Sequence, residues 1–110
     1  MTKQSYRAAQ LWSILVLSAR HQKLISYKSI ECLTGITRAF LGPFLEPIQQ
    51  YCIDEELPPL TVIVVEEATG RPASGFTATK QILSAQNRVF VFDWFSRAVP
   101  SPEDFEKVSN

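Results

Sequence analysis

Leu24-Ile25-Ser26-Tyr27-Lys28-Ser29-Ile30-Glu31-Cys32-Leu33-Thr34-Gly35-Ile36-Thr37-Arg38-Ala39-Phe40-Leu41-Gly42 is the stretch whose reading decides the fold. Ser26 is a good N-cap, because its hydroxyl can accept one of the backbone N–H groups left free at a helix start. It precedes a short helical pattern, so a helix is expected over 27–34. Glu31 falls two residues too late for a strict capping box. Gly35 then ends the helix, since glycine accepts the left-handed backbone that closes it. Thr37 caps a second helix over 37–55. Two helices joined by a glycine-containing turn have the shape of a helix-turn-helix.

Downstream, Pro43 and Pro47 fall inside the second helix. Proline lacks the backbone donor and clashes with the preceding turn, at about 3 kcal/mol in a helix interior. A break or kink is therefore expected between Arg38 and Pro47, followed by a segment whose apolar face is Phe44, Ile48, Tyr51 and Cys52. Asp54-Glu55-Glu56 closes it and reads as a solvated loop. Leu57-Pro58-Pro59 is a rigid connector, and the β-branched run after it predicts a buried strand over 60–66. Thr69-Gly70, Arg71-Pro72 and Ser74-Gly75 are turn signals that predict a hairpin wing over 67–76.

Upstream, Ala8, Leu11, Trp12, Leu15 and Ala19 recur at helical spacing and predict a helix over 6–21. Ile14, Val16 and Leu17 widen its stripe, as in a central core helix or one shared with a second subunit. After the wing, a helix over 79–95 is preferred, with Arg88-Val89-Phe90-Val91-Phe92 alternating as a strand would. Ser101 and Asp104 form a capping box for a last turn holding Phe105. The expected architecture is α+β: one winged helix-turn-helix-like domain over 1–110, mostly helical, with a small β-hairpin wing.

A chain of 110 residues, 45% hydrophobic and 20% charged, suits one globular domain with a modest core. Its longest apolar run, 11–17, is far shorter than the roughly 20 residues of a membrane span, and no signal-peptide cleavage pattern follows it. Cys32 and Cys52 are expected as buried thiols in a reducing cytoplasm, a disulfide between them being the unneeded alternative, without His or Cys at metal-ligand spacing. The net charge of zero hides two halves. Residues 1–43 carry six bases and one acid, a net of +5, and residues 44–110 carry five bases and ten acids, a net of −5. A basic half points to an anionic partner.

Ile25-Ser26-Tyr27, Leu33-Thr34-Gly35, Arg38-Ala39, Gly42, Pro59-Leu60 and Thr69-Gly70 to Ser74-Gly75-Phe76 resemble, in order, the C-terminal domain of alkylguanine-DNA alkyltransferases and alkyltransferase-like proteins. The resemblance covers about half the chain. It implies a winged helix-turn-helix that binds DNA by the minor groove and flips a base into a pocket. Tyr27 matches the family tyrosine that helps rotate the nucleotide, and Arg38 the arginine that fills the gap in the base stack, after a shorter turn than the family has. Where the family carries Pro-Cys-His-Arg, this chain reads Ile63-Val64-Val65-Glu66. The resemblance thus implies architecture without alkyl transfer.

The residues offer no other reaction. His21, the only histidine, reads as a polar surface residue rather than a general base. Glu66, Glu67 and Asp93 lack diagnostic metal-ligand spacing, and the four glycines are too scattered for a phosphate loop. The chain is read as non-enzymatic, with no metal and no cofactor. Lys23, Tyr27, Lys28, Arg38 and Arg71 are the candidate DNA contacts. Four phosphate contacts would give a salt slope of about −3.6 on duplex DNA. For Tyr27 the alternative is packing on the first helix, and for Arg38 a salt bridge to Glu31 or Glu46. The competing partner is a protein, because the second half is acidic and Phe90, Phe92, Trp94 and Phe95 form a large aromatic group. A homodimer follows if that group and the first helix leave apolar surface uncovered.

Overall fold

The computed structural model describes residues 3–73, 76 and 80–108. Within them the order is α1 (Lys3–Arg20), β1 (Ile25–Ser26), α2 (Tyr27–Thr34), α3 (Arg38–Asp54), a 3-10 turn (Leu60–Ile63), β2 (Val64–Val65), α4 (Ile82–Val91), a second 3-10 turn (Trp94–Ser96) and α5 (Pro102–Glu106). The result is a mostly helical α+β domain with one small sheet.

α1 is the central element. It buries Ala8, Leu11, Trp12, Leu15 and Ala19 against α3, α4, α5 and the first 3-10 turn. Full burial of a leucine such as Leu11 or Leu15 contributes roughly 1.5–3 kcal/mol, so this face anchors the domain. Trp12 meets Tyr51 and Trp94 edge-on, each with ring centroids 5.6 Å apart, which ties α1 to α3 and to the second 3-10 turn. The indole N–H of Trp94 donates to the carbonyl of Val89 at 2.9 Å, satisfying an acceptor freed at the end of α4. Trp94 is buried and Phe95 exposed, so the C-terminal aromatics are divided between core and surface.

The sheet among the described residues is not the expected hairpin. β1 and β2 pair in parallel, Ile25 with Val64 and Ser26 with Val65, so the whole α2–α3 unit is the crossover between them. Among the described residues no strand runs antiparallel to β2. Instead, the N–H groups of Glu66 and Gly70 bond to the carbonyls of Arg71 and Glu66, both at 2.9 Å, in a tight turn after β2. The expected turn at 74–75 and the start of a helix at 79 lie outside the described residues.

The strand expected over 60–66 shrinks to Val64–Val65. Leu60, Thr61, Val62 and Ile63 are all buried, because the turn they form lies against α1, α3 and α4. An extended strand would point alternate side chains to opposite faces; winding into a 3-10 turn serves helices on several sides. Val62 is bonded locally and by a helix: its N–H donates to the Pro59 carbonyl at 2.9 Å, and Gln86 Nε2 donates to its carbonyl at 3.2 Å.

α3 runs unbroken through both prolines, so the break expected there is absent. Pro47 has no N–H to give the carbonyl of Pro43, and Gln4 Nε2 of α1 supplies that donor at 2.7 Å. Pro43 withholds its bond from Ala39, which is exposed and so open to water. α4 is helical through Val91, with Ala85, Gln86 and Val89 buried and Val91 exposed, a helical rather than an alternating pattern. No helix among the described residues is long and apolar enough to cross a membrane.

Candidate nucleic-acid interface

The helix pair begins as local chemistry dictates. Ser26 Oγ accepts the N–H of Ser29 at 3.0 Å, and Gly35, at φ 74°, closes α2 by donating to the Glu31 carbonyl at 2.8 Å. Thr37 has the backbone of a cap but makes no side-chain capping bond. Glu31 replaces it: its Oε2 accepts the N–H of Arg38 at 2.9 Å, placing a carboxylate at the positive end of α3. The residue that misses a capping box for its own helix caps the next one.

Arg38, the first residue of α3, is held on two sides. Its guanidinium carbon lies 3.8 Å from the centre of the Tyr27 ring, and its Nη2 donates to Glu66 Oε1 at 2.7 Å. The ion pair is nearly half exposed. The partner is thus Glu66, and neither Glu31 nor Glu46 as the sequence suggested. Tyr27 itself is buried, at 8% exposure. Burial pushes its phenol above the ordinary 10.0, against a backbone hydrogen bond from Ala73 and the positive charge of Arg38.

Behind this pair lies a cleft of about 640 Å³, bounded by Tyr27, Arg38, Leu45, Glu46, Gln49 and Phe76, among others. Thr61 also lines it. Its hydroxyl is buried and finds no hydrogen-bond partner. The described lining has hydroxyl, amide and carboxylate groups but neither thiol nor imidazole.

Of the five residues read as DNA contacts, the fold joins two and sets the backbone of a third beside their partner Glu66. Tyr27 and Arg38 touch, and Arg71 follows in the turn whose carbonyl bonds the N–H of Glu66. Lys28 is exposed next to Tyr27 on α2. Lys23 stands apart on the turn closing α1, where its carbonyl accepts Ser18 Oγ at 2.8 Å. Among the described residues Lys23, Lys28 and Arg71 form no ion pair, so Arg38 alone of the four bases is neutralised in place. His21 is exposed.

The cysteines part company. Cys52 is buried on α3, where desolvation pushes its thiol up to about 11. Cys32 is exposed, which corrects the expectation of two buried thiols. α2 buries only Tyr27 and Ile30, one turn apart, and Cys32 lies on the opposite face with Lys28 and Ser29. That spacing was the available signal. Glu66 and Thr61 had none, because each acquires its role from elements distant in sequence. The reactive tetrad of the resembled family has Val64 and Val65 at its centre here, both buried and apolar. The chain matches no family model, no curated protein and no solved structure.

Proposed function

We propose that the chain is a non-enzymatic DNA-binding module of the winged helix-turn-helix kind, which engages duplex DNA through α2, the start of α3 and the turn after β2. The observation that carries this reading is the convergence of Tyr27, Arg38 and the turn bearing Arg71 at one edge, with Lys28 exposed on the outer face of α2. The first turns of α3 support it further. Ala39 and Gly42, one turn apart, are small and exposed, and a Cβ placed on Gly42 would meet open space, so the face they share is open to a partner. Phosphate contacts from Lys28, Arg38 and Arg71 would position the module, and groups on α3 would meet base edges. The segment over 67–76 would take the place of the wing.

A protein partner is the second reading, favoured by Leu33 and Phe40. These large apolar side chains are 68% and 61% exposed near the junction of α2 and α3. A titration of labelled duplex DNA at about 50 and 200 mM salt separates the readings. DNA binding requires affinity that falls steeply with salt, and Lys28→Ala should weaken it about equally on all sequences. Salt-insensitive or absent binding rules out the DNA reading.

A further inference from the structure

We propose that Glu66 is a gate on Arg38: its carboxylate occupies the guanidinium in the free protein, and a phosphodiester must displace it before Arg38 can bind DNA. This rests on the DNA-binding reading above and adds a control built into the same edge. The geometry is specific. Arg38 Nη2 meets Glu66 Oε1 at 2.7 Å while its guanidinium stacks 3.8 Å from the centre of the Tyr27 ring. Both partners are fixed by the backbone. Ser26 pairs with Val65, so Tyr27 and Glu66 leave neighbouring strand ends. Glu66 is further held by its N–H bond to Arg71 and by its carbonyl, which accepts from Gly70.

Glu66 opposes a phosphate in two ways. It uses donors that the phosphate would need, and its negative charge repels the phosphate at contact range. The pair is 44% and 42% exposed, which keeps the gate weak enough to open. An exposed ion pair of this kind is worth at most about a five-fold change in an equilibrium. A lone phosphate meeting Arg38 therefore gains little. A duplex already held by Lys28 and Arg71 delivers its phosphate at high local concentration and can win. The device suppresses casual anion binding at Arg38 while sparing the assembled interface.

The test is a fluorescence-anisotropy titration of duplex DNA with the wild type, Glu66→Gln, Glu67→Gln, Arg38→Ala and the Glu66→Gln/Arg38→Ala double variant. Glu66→Gln should bind roughly three- to five-fold more tightly at low salt, with a salt slope close to that of the wild type because Arg38 meets a phosphate in both complexes. Glu67→Gln removes the same charge one residue away and should gain less than half as much. In the Arg38→Ala background the Glu66→Gln gain should vanish. Equal binding by wild type and Glu66→Gln overturns the gate alone, as does a gain that survives without Arg38. Absence of binding by every variant overturns the DNA reading and the gate with it.

Discussion

Thr61→Val should stabilise the domain, against the usual direction of core substitutions. Thr61 is only 6% exposed, and its Oγ1 finds no hydrogen-bond partner. Burying a polar group without a partner costs roughly 1–3 kcal/mol, whereas a methyl of the same shape would gain by the same burial. Valine is β-branched like threonine, and Val62 already occupies the same 3-10 turn, so the backbone should accept it. The expected gain is about 1–2 kcal/mol. With an unfolding entropy of about 2.1 cal/mol/K per residue, that is a rise in Tm of roughly 4–9 °C for a chain of this length. Urea unfolding should show a higher midpoint at unchanged m-value. Thr61→Ser keeps the hydroxyl and loses a methyl, so it should destabilise by about 1 kcal/mol. A Thr61→Val protein that is no more stable than the wild type would refute the reasoning, because it would show that the hydroxyl is satisfied at the cleft floor.

Glu31→Ala should cost about 1 kcal/mol, since Glu31 Oε2 is the side-chain acceptor that caps the N–H of Arg38, and Thr37 supplies none; urea midpoints measure this. Cys32 should react with an aromatic disulfide reagent in the native protein at neutral pH and Cys52 only on unfolding; two fast thiols would contradict their placement. Because burial raises the folded-state value of Cys52 from 9.0 to about 11, the folded state favours the protonated thiol. Stability should therefore hold below pH 9.0 and fall as pH rises toward about 11, a loss that Cys52→Ala reduces in urea unfolding across that range. Tyr27, also raised, adds to the loss in the same direction.

What the sequence made legible was local. Ser26 and Gly35 act within one turn of their own helix, and the capping box at Ser101 and Asp104 closes on itself. The failures are tertiary. Leu60 to Val65 reads as a strand because a continuous apolar run shows burial without showing how many neighbours surround it. Here several helices pack on the 3-10 turn, and only two residues pair as a strand. The prolines of α3 predict a break if only the helix is considered. Gln4, on a different helix, supplies the donor that Pro47 lacks. At the candidate site, Tyr27 and Arg38 were legible as residue types at the start of successive helices. Their contact was not, and neither was Glu66, whose pairing with Arg38 depends on the parallel bridge between β1 and β2.

The most direct test of DNA binding through the α2–α3 edge is amide NMR mapping of the 15N-labelled protein during titration with duplex DNA. The account expects shift changes concentrated in residues 26–42 and 66–73, with α4 and α5 little affected. Changes confined to α4 and α5, or none at saturating duplex, would contradict it.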